Sequence, residues 1–327
     1  MSDSELLAPG WRSGSRQVNG LSLHVVEAGP GTGPLLILLH GFPEFWWAWR
    51  HQITPLAEAG FHVVVPDMRG YNLSDAPRGI GSYHLDLLVA DVAALADSFG
   101  ADRFDLVGHD WGGVIAWATA ARHPGRIGRL VVLDAPNPDL LGRALRHPTQ
   151  ALRSSYAALF QLPLLPEALL SPLGFAGLRA MMRGSARSDT FRPGDLDRYA
   201  TAWARPGRLG AMLNYYRALR RRRRPAEPAR IRPPALVLWG ERDAALERHV
   251  ARDAVGLCDE GRLLVLPGTT HWLHLEEPGR VAAEILGFLK GSSLKAGRAG
   301  APPPAQLKPR APFRPAGARE ATRVRRG

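Results

Sequence analysis

The chain alternates short, nearly unbroken apolar runs with longer stretches in which apolar residues recur every three or four positions. Seven such runs, at 21–29, 35–41, 62–67, 104–110, 129–136, 235–243 and 262–268, are each closed by Gly, Pro or Asp. Short strands without polar alternation are buried on both faces, as in a parallel sheet covered by helices. Helical spacing follows at 83–99, 113–122 and 278–290. Strand and helix in alternation predict an α/β fold with a mostly parallel, doubly wound sheet. The rhythm stops between 137 and 224, where helical patterning continues and no convincing strand occurs. That block reads as an all-helical cap over the sheet's carboxyl edge, the edge where such sheets bind ligands. The expected division is therefore a first core part at 1–136, the cap at 137–224, a second core part at 225–290, and a tail at 291–327. There are no internal repeats.

Composition agrees with one large α/β body: 327 residues, 45% of them hydrophobic. The net charge of +12 suggests a polyanion partner until it is located. Residues 291–327 hold nine Lys or Arg against one Glu, and the run at 220–224 is five consecutive arginines, which leaves the remainder near neutral. The tail is rich in Pro, Ala and Gly and poor in aliphatic residues, so it cannot bury enough apolar surface to offset its ordering entropy and is expected to be disordered. Weak contacts with anionic surfaces through these arginines are the most that the charge implies, and no nucleic-acid partner is expected. The start, MSDSELLAPGW, lacks a basic stretch followed by an apolar one, and no segment approaches about 18 uninterrupted apolar residues. The expectation is a soluble cytoplasmic protein without a membrane span. Cys258 is the only cysteine and has no partner for an internal disulfide.

The chemistry begins at Gly-His-Asp-Trp-Gly, residues 108–112, between an apolar run and an Ala-rich helical segment. The spacing is that of the nucleophile elbow G-x-S-x-G, with Asp110 in place of serine. An aspartate that merely caps the helix would not need glycine at 108 and 112. The exchange selects the reaction. A serine alkylated at a saturated carbon becomes an ether, which resists water, whereas an alkylated carboxylate becomes an ester that a second step can hydrolyse. Epoxides and alkyl halides are the substrates this implies. The hydrolytic step needs a base and an acid that orients it. His271 follows the last strand and Asp243 the strand before it, with Asp134 as a rival acid. His271 and His274 also read as an H-x-x-H pair, but two histidines without a third ligand make a poor metal site, so no metal and no cofactor are expected. Backbone N–H groups of Phe42 and Trp111 are candidates for the oxyanion hole.

With these residues in place the chain resembles the α/β-hydrolase-fold epoxide hydrolases over about residues 15–290, leaving the tail outside. The resemblance rests on HGFPE at 40–44, GHDWGG at 108–113, WGERD at 239–243, His271, and two cap segments. In the first, Tyr156 stands four residues before Phe160-Gln161; in the second, LNYYR, Tyr216 adjoins Arg217. The family's two cap tyrosines grip the epoxide oxygen, so the resemblance implies that role for Tyr156 and Tyr216, with Tyr215 a near neighbour one position away. It implies an epoxide hydrolase that acts through an ester on Asp110.

Two alternatives stay open. A haloalkane or haloacetate dehalogenase uses the same kind of triad and, in the haloalkane enzymes, a tryptophan at the place of Trp111. The former usually adds a side-chain halide donor where this chain has Phe42, and the latter tends to have arginine where it has Trp111. A non-catalytic binding relative would have no need of all five chemical residues. Phe45, Trp46, Trp47 and Trp111 suggest a hydrophobic epoxide, although core packing accounts for most aromatics in such a protein.

Overall fold

A computed structural model describes residues 3–220 and 227–291. The arginines beyond Arg220 in the basic run, and all but the first residue of the tail, lie outside the described residues. Among the described residues, eight strands form one sheet in the order β1-β2-β4-β3-β5-β6-β7-β8. They are β1 (Arg12–Val18), β2 (Leu21–Ala28), β3 (Leu35–Leu39), β4 (His62–Pro66), β5 (Phe104–His109), β6 (Ile127–Leu133), β7 (Ala235–Gly240) and β8 (Gly261–Leu266). From β4 to β8 every neighbouring pair is parallel, while β1 and β2 run antiparallel at one edge. Every residue of β3, β4 and β7 is buried. That is why β3 reads as unbroken Leu and Ile and β4 and β7 carry little that is polar: no position along them faces water.

Strand β1 escaped the hydrophobic pattern. Its sequence RSGSRQV is largely exposed, as an edge strand's can be, and it is held by main-chain pairing to β2 and by Arg16 donating to Glu27 at 2.7 Å. Helices α1 (Ile53–Glu58), α2 (Leu85–Asp97) and α3 (Trp111–Arg122) follow β3, β4 and β5. The expected helix at 83–99 is shorter by two residues at each end: a 3₁₀ turn over Ile80–Tyr83 occupies its start, and Ser98 is its carboxyl-terminal cap. Helix α3 starts two residues earlier than its periodicity suggested, directly after Asp110.

Between β6 and β7 the described residues contain seven helices and no strand. These are α4 (Leu141–Ala144), α5 (Pro148–Arg153), α6 (Ser155–Leu159), α7 (Leu165–Leu170), α8 (Pro172–Gly184), α9 (Asp195–Trp203) and α10 (Arg208–Arg220). This insertion is tied to the loops at the carboxyl ends of the strands. Trp203 Nε1 donates to the Pro43 carbonyl after β3 (2.6 Å), Tyr215 Oη to the Arg69 carbonyl after β4 (2.6 Å), and Gln150 Nε2 to the Ala245 carbonyl after β7 (2.9 Å). Helices α11 (Arg248–Val255), α12 (Leu273–Glu276) and α13 (Pro278–Leu289) complete the described chain. Among the described residues no helix is long and apolar enough to cross a membrane.

Candidate active site

Five strand ends converge on one place: the segments after β3, β5, β6, β7 and β8 bring Phe42, Asp110, Asp134, Asp243 and His271 to the same edge of the sheet. Asp110 is the single residue between β5 and α3, with φ of 48° and ψ of −117°. Positive φ is uncommon outside glycine and costs on the order of 1–3 kcal/mol, so the surrounding turn must impose it. It does so by close approach. A Cβ on Gly108 would run into the Gly112 carbonyl, and one on Gly41 would lie 2.6 Å from Asp110 Cβ. The tight turn thrusts the carboxylate out of the sheet, where Oδ1 accepts the Phe42 N–H at 2.8 Å. The Phe42–Pro43 peptide is cis. Trp111 follows as the first residue of α3. Burial pushes the Asp110 carboxyl up, but His271 and the Phe42 N–H outweigh it and hold the group below its usual 3.8.

His271 lies between two carboxylates. Its Nδ1 is 2.8 Å from Asp243 Oδ2 and its Nε2 is 3.6 Å from Asp110 Oδ2. Asp243 is buried, and its other oxygen accepts the N–H groups of Ala245 (2.7 Å) and Leu246 (2.9 Å), so the carboxylate cannot turn away from the ring. Burial alone would lower the imidazole. Asp243 and Asp110 together reverse this and hold it well above 6.5.

Tyr156, on α6, and Tyr216, on α10, line with Asp110 and Trp111 a largely apolar cavity of about 600 Å³. Hydrogen bonds tie the segment just after α6 to α10: Gln161 Nε2 donates to the Tyr216 carbonyl (3.1 Å), and Arg217 donates through Nε to the Phe160 carbonyl (2.9 Å) and through Nη2 to the Leu162 carbonyl (2.9 Å). This is the physical content of the Phe-Gln and Tyr-Tyr-Arg segments. The Tyr216 ring packs against Phe42, Trp111 and Phe160 at centroid distances of 5.0–5.3 Å. Both phenols are raised above 10 by burial first and by neighbouring negative charge, including that of Asp110. Tyr215 faces the other way, buried, with its hydroxyl given to Arg69. Of the aromatic residues noted in the sequence, Trp111 lines the cavity. Phe45, Trp46 and Trp47 belong to the packed core, because their segment turns beneath the insertion and Phe45 and Trp47 meet Tyr199 edge-on.

Two buried clusters assemble from segments far apart in sequence; the sequence names Asp243 and Asp134 as rival acids for His271, but gives no sign of the other cluster, Glu44, His109 and His274. His109 Nδ1 meets Glu44 Oε2 at 2.9 Å and its Nε2 meets the His271 carbonyl at 2.9 Å, while His274 Nε2 is 3.2 Å from Glu44 Oε1. His274 therefore does not pair with His271: it faces Glu44, and burial pushes it down to about 4. Asp134, Asp243 and His271 form the second cluster. Within the clusters His109 and His274 meet Glu44, and His271 meets Asp243, at hydrogen-bond distance, while His274 Nδ1 and Asp134 Oδ2 have no partner among the described residues.

The chain matches the family described as alpha/beta hydrolase fold over residues 34–278. The chain belongs to the α/β-hydrolase fold family. Among its relatives in that family is the AB hydrolase superfamily protein YfhM of Bacillus subtilis, 42% identical over 83% of this chain and 96% of the relative. Epoxide hydrolase 4 of Mus musculus is 38% identical over 83% of this chain and 77% of its own length. Among solved structures, the epoxide hydrolase of Bacillus megaterium in complex with an inhibitor superposes with a TM-score of 0.78 at 31% identity, covering 85% of this chain and all of that one. In this chain's own sheet Asp110, Asp243 and His271 follow β5, β7 and β8.

Proposed function

We propose that this α/β hydrolase converts epoxides to vicinal diols through an ester on Asp110, with the insertion, residues 137–224, as its cap. The observation that carries the reading is one cavity with Asp110 and two phenols on its wall and His271 beside the carboxylate. The named epoxide hydrolases among the relatives support it.

Oδ1 of Asp110 is engaged by Phe42, so Oδ2 is the attacking oxygen. It bonds to an epoxide carbon as the C–O bond breaks and the electron pair passes to the ring oxygen. Tyr156 or Tyr216 donates its proton there; a phenol raised above 10 is fully protonated at neutral pH and needs no prior proton capture. Esterification removes the Asp110 charge, one of the influences that holds His271 protonated. The imidazole then loses its proton, which balances the one regained by the tyrosinate, and becomes a base at the moment a base is required.

In the second step His271 takes a proton from water, whose oxygen adds to the ester carbonyl. The resulting oxyanion sits on Oδ1, where the Phe42 N–H already points, and the Trp111 N–H is the second donor. Collapse breaks the bond between Cγ and Oδ2, and the leaving alkoxide takes the proton from His271. The acid so formed on Asp110 returns a proton to His271 and restores the resting pair. A dehalogenase would use the same attack, but a halide leaves without a proton donor. The test is a pair of assays on one preparation: diol from styrene oxide and bromide from 1-bromobutane. Diol without bromide is expected; bromide without diol would replace this reading with dehalogenation.

A further inference from the structure

Two carboxyl groups, and not one, stand behind the His271 ring. Asp243 is at the end of the β7 segment, and Asp134 follows β6, the neighbouring parallel strand. A carboxylate oxygen of each lies within 4.8 Å of the other and of a His271 ring nitrogen. Asp134 is entirely buried, at a left-handed φ of 39°. Its Oδ1 accepts the Gly240 N–H at 2.8 Å, and its Oδ2 has no hydrogen-bond partner among the described residues. Asp243, by contrast, uses both oxygens, on His271 and on the N–H groups of Ala245 and Leu246.

A buried carboxylate with one oxygen unsatisfied, beside a second carboxylate, is a costly arrangement if both are charged. A single proton on the less-bonded partner removes most of that cost, as in other carboxyl pairs that share a site. We propose that the acid of the triad is a carboxyl pair: Asp243 carries the charge, and Asp134, a positioning residue, carries the proton and can take the charge over. The burial of Asp134 and the charge of Asp243 both push its carboxyl well above 3.8. The other groups that face it are His271 and the Gly240 N–H, which favour its ionised form, and Glu276, which opposes it. Glu276 is itself held by Thr270, Thr190 and the Arg187 N–H. Without the Asp243 charge, a major reason for Asp134 to stay protonated disappears. Its proton then leaves to solvent, and a carboxylate is again available to the imidazole.

The inference rests on His271 being the base for ester hydrolysis, and it is tested with the two half-reactions measured separately. Loss of the orienting anion behind a triad histidine costs about 10⁴ in rate. With Asp134 in reserve, Asp243→Asn should slow hydrolysis of the Asp110 ester by only about 10², and Asp134→Asn by less than about tenfold. The double variant should reach the full loss of about 10⁴, so Asp134→Asn costs far more in the second background than in the first. A purely structural role would give the same factor in both backgrounds. Asn tolerates positive φ well, which favours retention of the turn, and the amplitude of the alkylation burst reports the folded fraction of each variant. Independent losses, or a full loss from Asp243→Asn alone, would overturn the inference. If the unaltered enzyme formed no ester at all, the epoxide reading itself would fall, and this inference with it.

Discussion

Removing one oxygen atom from each of two tyrosines separates epoxide opening from every other property of the site. In Tyr156→Phe and Tyr216→Phe the rings remain, so the packing of Tyr216 on Phe42, Trp111 and Phe160 is retained and the fold should not suffer. A hydrogen bond to a charged oxygen is worth about 1.5–3 kcal/mol, and each 1.36 kcal/mol is tenfold in rate. Each single substitution should therefore slow alkylation of Asp110 by about 10 to 150-fold, and the double variant by about 10² to 10⁴, the usual range for general-acid assistance. Hydrolysis of the ester, once formed, should change much less, because the leaving alkoxide takes its proton from His271. Tyr215→Phe should behave oppositely. It deletes the buried bond to Arg69, about 1 kcal/mol of stability, and leaves alkylation near its native rate. Stopped-flow alkylation with styrene oxide, together with urea unfolding of all four variants, gives both quantities. Unchanged alkylation in a folded double variant would refute the role of the phenols and with it the main reason to prefer epoxides over halides.

His271→Gln should alkylate and then stall, so the intact mass should rise by one substrate; ordinary turnover would show that another group is the base. Stability should peak near pH 6.5. His274 is held down to about 4 and His40 also below 6.5, both by burial, so the unfolded chain takes up protons that the native one refuses as pH falls from 6.5. His271 is raised, and its contribution is lost as pH climbs above 6.5 through its native value. Urea midpoints at pH 5, 6.5 and 8.5 check this, and a steady rise with pH would contradict it. Gly108→Ala drives a methyl into the Gly112 carbonyl and should cost about 1–3 kcal/mol, the scale of overpacked cores, so a variant of native stability would mean that the elbow can open to take a methyl group.

The legible parts of the chain were those where one physical demand acts on consecutive residues. Burial on both faces wrote β3, β4 and β7 as short, mostly apolar runs, and the turn after β5 demanded glycine on both sides of Asp110. The exposed edge strand β1 faces no such demand, and its polar sequence concealed it. In the site, Asp110, Asp243 and His271 could be named because each follows a strand, but the sequence carries no sign of which oxygen meets which nitrogen. Glu44, His109 and His274 come from three distant segments, so only folding makes them a network. The sequence favours Tyr216 over Tyr215 only through the resemblance of LNYYR; in the fold Tyr216 lines the cavity and Tyr215 turns to Arg69. The Arg69 carbonyl, which takes the Tyr215 hydroxyl, lies 146 positions away in sequence.

The central claim is that water attacks an ester of Asp110 and never the epoxide. A single turnover in ¹⁸O-water, with enzyme in excess over styrene oxide, tests it directly. After proteolysis, the peptide containing Asp110 should carry one ¹⁸O, and the diol should be unlabelled, because its new oxygen was Oδ2 of the carboxylate. Labelled diol with an unlabelled peptide would mean direct attack by water, and the ester mechanism would be wrong.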